Sequence, residues 1–176
     1  MKTNTIICIL FSVIALLIIS CGGEVIDIPD ANRPLFSEGD SFVFKDLCSD
    51  TYDTMVVSIS HDYDDHDEDL IEYFSMWYVN TVNSEIKMHF QVWPTGSIVY
   101  FLNIRYGISS DDKALDSLFI DGKQYTNAYL FIPNKESSRT DELEYLIYDY
   151  NYGLLKYKYY EGPEFVLDTV ISSALY

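Results

Sequence analysis

The chain has 176 residues, with 28 Asp and Glu against 11 Lys and Arg, and its formal net charge is −17 at pH 7. A surface of that charge repels a phosphate backbone, so nucleic acid is excluded as a partner. The length suits one domain with its own hydrophobic core. Aromatic residues make up 16% of the chain, a share typical of β-rich proteins.

Residues 1–20 have the pattern of a secretory signal peptide. A single basic residue, Lys2, precedes an apolar stretch over residues 6–19 in which Ser12 is the one polar interruption. That stretch is shorter than the roughly 20 apolar residues that a membrane-spanning helix requires. It ends in the sequence Ile18-Ile19-Ser20-Cys21, which resembles the lipobox of bacterial lipoproteins.

The resemblance implies cleavage between Ser20 and Cys21 and a lipid on the Cys21 thiol. An ordinary signal peptide with a coincidental cysteine is the alternative. Several acyl chains on one residue give a stable membrane anchor without a spanning segment. Gly22 follows the cysteine where an inner-membrane retention signal has Asp, which favours the outer membrane of a bacterial envelope. The periplasmic and the surface face both remain open.

After the signal, the sequence divides into a tether and a domain. Residues 21–37 contain Gly, Pro and acids without periodicity and are predicted to be a flexible tether. Residues 38–176 are predicted to form a single β-rich domain. Its one thiol, Cys48, has no partner for an internal disulfide and is expected to be buried or unreactive.

The domain shows the two-residue periodicity of β-strands. In residues 87–93 (KMHFQVW), apolar and polar side chains alternate without a break. Similar patterns predict the other strands, over residues 41–45, 54–60, 71–79, 98–106, 124–132, 143–150, 154–160 and 164–171.

Turn residues separate these strands, and Asp121-Gly122 is the strongest hairpin signal. One short helix is predicted over residues 110–118. About nine or ten short strands at this spacing indicate an all-β fold, namely an antiparallel meander, sandwich or barrel-like sheet.

The segment 61–69 (HDYDDHDED) concentrates carboxylates between two predicted strands. Oxygen ligands favour Ca²⁺, so a calcium site is one hypothesis for this predicted loop. The alternative is a solvated acidic loop that keeps sheet edges from pairing with other molecules. The candidate ligands are Asp62, Asp64, Asp65, Asp67 and Asp69.

Exposed aromatic side chains would suit a sugar ligand, because Trp and Tyr rings stack on the apolar faces of sugar rings. The alternative is that the same residues pack within the sheet, as aromatic cross-strand pairs do. The candidate ligand-binding residues are Trp77, Trp93, Tyr148, Tyr150, Tyr157 and Tyr159.

Three segments, residues 120–129, 148–157 and 162–167, resemble small Tyr-rich envelope lipoproteins of Bacteroidota-type bacteria. The likeness covers the signal and about the last 60 residues. It implies an extracytoplasmic, mostly β lipoprotein and transfers no catalytic residue.

Three functions follow as hypotheses. The first is a lipid-anchored, non-enzymatic binding or scaffold module, with a glycan or a protein as partner. The second is a carrier of apolar ligands with a cavity inside a curved sheet, as in lipocalins. The third is a small hydrolase, although no nucleophile or metalloprotease motif is present.

Overall fold

The computed structural model describes residues 23–66, 69–101, 104–107, 115, 117–133 and 142–173. These residues form thirteen strands and one 3-10 turn at Asp30–Asn32. The strands are β1 (Val25–Ile26), β2 (Ser41–Asp46), β3 (Tyr52–His66), β4 (Asp69–Asn80), β5 (Lys87–Trp93), β6 (Gly96–Phe101), β7 (Ile104–Gly107), β8 (Leu118–Ile120), β9 (Lys123–Tyr125), β10 (Ala128–Pro133), β11 (Leu143–Asp149), β12 (Gly153–Tyr159) and β13 (Glu164–Ile171).

Ten of these strands close into an antiparallel β-barrel. Strands β2 to β7 and β10 to β13 each pair with their neighbours in that order, and β13 pairs with β2 to close the ring. The short hairpin β8–β9 is inserted between β7 and β10, and β1 lies parallel to β4 outside the ring. The all-β prediction is confirmed, and the barrel is the form that the sheet adopts.

Most predicted strands and turns are found close to their expected places. Strand β5 has the predicted bounds, and its side chains alternate between buried and partly exposed. Asp121 and Gly122 have φ angles of 47° and 78°, as a type I′ hairpin turn requires. The predicted strand 98–106 is divided between β6 and β7, and the predicted strand 124–132 between β9 and β10.

The barrel interior is filled by side chains, many of them aromatic. Tyr78 has no accessible surface, and its ring lies edge-to-face against Phe42 at 5.1 Å and against Phe90 at 5.3 Å. Large side chains are needed to fill this interior, because the diameter of a barrel grows with its number of strands. The inward-facing residues without accessible surface include Phe42, Phe44, Met55, Val57, Met76, Tyr78, Met88, Phe90, Val99, Tyr148 and Tyr157. No water-sized space therefore adjoins these side chains.

The predicted flexible tether is wrong for most of its length. Strand β1 adds to the sheet beside β4, and Ile28 is only 1% exposed. Further along, Leu35 donates a backbone hydrogen bond to Asn151, and Phe36 packs edge-to-face on Phe42. Residues 24–36, called here the N-terminal segment, therefore belong to the folded domain. Periodicity did not reveal this, because the segment forms one two-residue strand and otherwise docks by single contacts.

Two further predictions concern the helix and the free thiol. Most of the predicted helix 110–118 lies outside the described residues, and Leu118 begins strand β8. Among the residues that the structure describes, no helix is long and apolar enough to cross a membrane. Cys48 is exposed in the turn between β2 and β3, so it is not buried, and an unreactive thiol stays a prediction.

Candidate ligand-binding site on the barrel wall

The acidic stretch is part of a long hairpin and not a loop between strands. Strand β3 continues to His66 and β4 begins at Asp69, with in-register pairing between them. Alternation along a strand places Asp62 and Asp64 on one face and Asp65 on the other. Asp67 lies outside the described residues. Within the described ranges, no three His, Cys, Asp or Glu side chains are grouped to hold a metal ion.

Of the four tyrosines predicted to bind ligand, Tyr148, Tyr150 and Tyr157 belong to the core of the barrel, and Tyr159 packs against it. Tyr148 and Tyr157 have no exposed surface, and burial raises the pKa of both phenols. Tyr150 is also buried and receives a 2.8 Å hydrogen bond from Ser97 Oγ. Tyr159 is partly buried against Phe165, and burial raises its pKa to about 12. The predicted binding role of these four side chains is therefore replaced by a packing role.

Trp77 and Trp93, in contrast, lie on the outer face of the barrel. Trp77 is 38% exposed and stacks on His89, with ring centroids 4.0 Å apart and an interplanar angle of 1°. His89 in turn lies 5.9 Å from the ring of Tyr100 on β6. Direct pairing of β4 with β5 and of β5 with β6 produces this row.

A second aromatic row lies closer to the barrel end. Tyr73 stacks on Trp93, with ring centroids 4.7 Å apart and an interplanar angle of 19°. Tyr73 and Trp77 are four residues apart in β4, so the rows are about 13 Å apart. The polar side chains Ser75 and Gln91 lie between them, because these residues pair in register. The two rows together are called the aromatic wall.

His89 is held in place by a hydrogen bond between its Nε2 atom and Ser75 Oγ, at 2.7 Å. Partial burial lowers its pKa, so the imidazole is neutral at pH 7. A Ser–His pair suggests a nucleophile and a base, but a base also needs a group that orients its second nitrogen. In the described part of the chain, no carboxylate contacts this imidazole. The hydrogen bond therefore fixes the ring within its aromatic row.

A cavity of about 560 Å³ opens beside the second aromatic row, and we call it the rim cavity. It exists because β4 changes its neighbour along its length. Strand β1 pairs with Leu70 and Ile71, whereas pairing with β5 begins only at Phe74. The space left between β1 and the β5–β6 turn is lined by Ile26, Asp64, Ile71, Trp93, Pro94, Thr95, Gly96, Ser97 and Ile98.

Gly96 keeps the space beside Trp93 open. The two residues pair directly across the β5–β6 hairpin, and both line the rim cavity. A Cβ atom at Gly96 would meet no other atom within 4 Å. Tyr73 covers one face of the Trp93 indole. On the other side of Trp93 the neighbouring residue is Gly96, which has no side chain. Trp93 therefore presents aromatic surface to a cavity large enough for a small ligand.

A buried carboxylate, Glu72, holds the wall of this cavity together. Its Oε2 atom accepts hydrogen bonds from the Ile28 backbone N–H at 2.6 Å and from Arg33 at 2.7 Å, and His61 Nε2 lies 2.7 Å from Oε1. Burial raises the pKa of Glu72, but these three partners outweigh it and lower the pKa overall. Glu72 thereby fixes the N-terminal segment, which carries Ile26, against β4.

Glu72 was not among the residues predicted to be functional, although the sequence carries a signal for it. It occupies a position with the inward-facing parity of Met76 and Tyr78, where an apolar side chain is expected. A charged residue at an inward position requires a partner. In this fold the partners come from the N-terminal segment and from β3.

A second concave region lies beneath the β8–β9 hairpin, with a volume of about 420 Å³. Its aromatic surface is already occupied from within the chain. Lys123 Nζ lies 3.7 Å from the ring centroid of Tyr152 and 5.1 Å from that of Tyr125. The rim cavity, where the indole is open, is the stronger candidate.

Comparison with known proteins adds no functional assignment to this geometry, and the resemblance to envelope lipoproteins stays a prediction. No protein-family model matches the chain, and neither a curated protein nor a solved structure matches it.

Proposed function

We propose that this protein is a lipid-anchored protein of the bacterial envelope that binds a glycan without chemical turnover, at the rim cavity and the adjoining aromatic wall. The observation that carries the proposal is Trp93, whose indole is backed by Tyr73 on one side and open over Gly96 on the other. A rigid, half-covered aromatic ring is a surface on which a sugar ring can stack.

The groups around Trp93 suit a polyhydroxylated ligand. Asp64 and Thr95 line the same cavity and offer oxygen atoms to sugar hydroxyls. Ser75 and Gln91 lie between the two aromatic rows and supply further polar contacts. Ligand sites commonly combine apolar and aromatic lining with a few polar groups of this kind.

The other two functional hypotheses receive less support from the described residues. A carrier of apolar ligands needs a cavity inside the barrel, where the side chains around Tyr78 have no accessible surface. A hydrolase needs converging titratable groups. The Ser75–His89 pair lacks a third member among the described residues.

The proposal is tested with a glycan array and the soluble chain from Gly22 onwards. Trp93→Ala is expected to weaken binding of any glycan hit by about 5- to 150-fold, because stacking of a nucleobase on one aromatic ring is worth about 1–3 kcal/mol and we take the same range for a stacked sugar ring. Binding constants from titration calorimetry on the best hit measure the effect.

Tyr52→Ala is the matched control for this experiment. Tyr52 is an exposed aromatic residue at the start of β3, far along the strand from the rim cavity. This variant is expected to bind like the wild type. Equal affinity in the wild type and Trp93→Ala would remove the rim cavity from the proposal, and an array without hits would remove the glycan.

Membrane attachment is proposed to depend on Cys21 alone. The net charge of −17 repels anionic headgroups, so the domain surface supplies no electrostatic attraction to such membranes. Cys21→Ser is expected to move the protein from the membrane pellet to the soluble fraction or to leave it mislocalised. Fractionation and immunoblotting measure this, with Cys48→Ser as the control that should remain in the membrane. Retention of Cys21→Ser in the membrane would overturn the lipoprotein assignment.

A further inference from the structure

We propose that the glycan bound at the rim cavity carries protonated amines, so that the ligand class is an amino-sugar oligomer and not a neutral or acidic one. This inference rests on the proposed function and specifies its ligand. It is carried by the placement of unpaired carboxylates beside an open indole.

Among the described residues that line the cavity, Asp64 is the one charged side chain. It is exposed, and among the described residues it forms no hydrogen bond or ion pair. It pairs in register with Ile71, another residue of the cavity wall. A ring stacked on Trp93 therefore places its substituents near a carboxylate without a cation.

Asp62 extends the same negative surface along the aromatic wall. It pairs directly with Tyr73, the residue that stacks on Trp93. Its side chain caps the backbone N–H of Tyr63 and contacts no cation in the described structure. Two carboxylates on one face of β3 thus flank the second aromatic row.

The positive groups of this end of the barrel are engaged elsewhere. Arg33 binds Glu72 and also lies 3.2 Å from Asp30, and His61 lies against Glu72. Neither residue lines the rim cavity. Two cations lie at the other aromatic row, where Lys87 is over Trp77 and Arg105 pairs with Tyr100.

The charge of the site and of the whole chain has the same sign. Uronic acids and sulfated sugars meet repulsion from both Asp64 and the long-range field. A neutral sugar gains only hydrogen bonds. A protonated amine gains a charge-assisted hydrogen bond to a carboxylate that otherwise has no partner.

The test compares two hexamers with the same β-1,4-linked backbone, a glucosamine hexamer and its fully N-acetylated counterpart. At about pH 6 and low salt, the wild-type protein is expected to bind the amine form about 3- to 10-fold more tightly, as one or two partly exposed ion pairs allow. A galacturonic acid hexamer is expected not to bind.

Two variants of equal net charge distinguish a local contact at Asp64 from general electrostatic attraction of the ligand to the protein. Asp64→Asn is expected to reduce the preference for the amine form to less than about twofold, because binding of the amine form falls more than binding of the N-acetylated form. Asp50→Asn removes the same charge from an exposed residue in the turn between β2 and β3, and should keep the full preference.

The outcomes distinguish the two proposals. A preference that survives Asp64→Asn, or that both variants reduce equally, shows general electrostatic attraction and overturns the inference. Tighter binding of the N-acetylated hexamer also overturns it, while leaving glycan binding intact. Failure of the wild type to bind either hexamer, with a hit of another kind on the array, rejects the amine class alone. An array without any hit rejects the proposed function itself.

Discussion

Replacing Arg33 by leucine is expected to lower the free energy of unfolding by about 2–4 kcal/mol, within the range for removing one partner of a buried charge pair. Glu72 is 1% exposed and would lose its strongest cationic partner. The loss is placed below the top of that range because Arg33 itself is 34% exposed. Urea denaturation monitored by tryptophan fluorescence measures the change, with Arg105→Leu as a control for loss of an exposed arginine.

A second substitution shows whether the uncompensated charge is the cause. In Arg33→Leu/Glu72→Gln, the amide oxygen can still accept the hydrogen bond from the Ile28 backbone N–H, and no charge remains buried. The double variant is therefore expected to be more stable than Arg33→Leu alone. Equal stability of the two would mean that Arg33 contributes through packing of the N-terminal segment and not through its charge.

The same carboxylate gives a pH dependence of known sign. Because the folded-state pKa of Glu72 lies below its ordinary value, its contribution to stability is present at neutral pH and is lost as the pH falls through the folded pKa. Removing Arg33 removes one of the groups that lower this pKa. The folded-state pKa then lies closer to its value in the unfolded chain, so the acid-induced loss of stability is expected to be smaller in Arg33→Leu than in the wild type, as urea denaturation at several pH values measures.

Gly153→Ala is expected to destabilise the barrel by about 2–5 kcal/mol, the sum of a left-handed backbone penalty and overpacking. Gly153 has a φ of 82° at the start of β12. Its added Cβ would overlap the Tyr78 hydroxyl oxygen and approach the Cε1 atoms of Phe36 and Phe42 at 3.0 Å. Thermal denaturation followed by circular dichroism is the measurement.

Gly122→Ala is a matched control that measures the left-handed backbone penalty without overpacking. Gly122 has a φ of 78°, but a Cβ there would meet no atom within 4 Å. It is expected to cost only about 1–2 kcal/mol. Adding Tyr78→Phe to Gly153→Ala should restore part of the lost stability, since the overlapping oxygen is gone. Equal losses for the two glycine variants would show that the interior around Tyr78 yields to an extra methyl group.

The sequence predicts the fold well where a local pattern has one physical cause. Alternation in residues 87–93 fixes which side chains face inward, and Asp121-Gly122 fixes a hairpin. The sequence left three alternatives for the sheet, namely a meander, a sandwich and a barrel. It did not decide among them because the barrel is closed by pairing of β13 with β2, which come from opposite ends of the chain. Local periodicity carries no information about that contact.

The candidate site was predicted only in part, for the same reason. Trp93 and Trp77 were identified as aromatic candidates, but so were Tyr148 and Tyr157, which have strand parities that turn them inward. Composition does not show which alternate positions of a strand face the core. The rim cavity depends on β1 replacing β5 beside β4, and two residues of β1 are too few to show a period.

The docked N-terminal segment also changes the mechanical link between the protein and a membrane. With Cys21 lipidated as proposed, Gly22 and Gly23 alone separate the anchor from the docked N-terminal segment, since Glu24 is already hydrogen-bonded to β4. Two extended residues span about 7 Å, against the roughly 55 Å of a free tether over residues 22–37. The barrel would then be attached through a short linker at the end that bears the rim cavity. A force on the anchor would act on β1 along the direction of β4. Ligand capture becomes a search in the thin layer next to the headgroups, where a membrane-associated glycan is concentrated and a freely diffusing one is not.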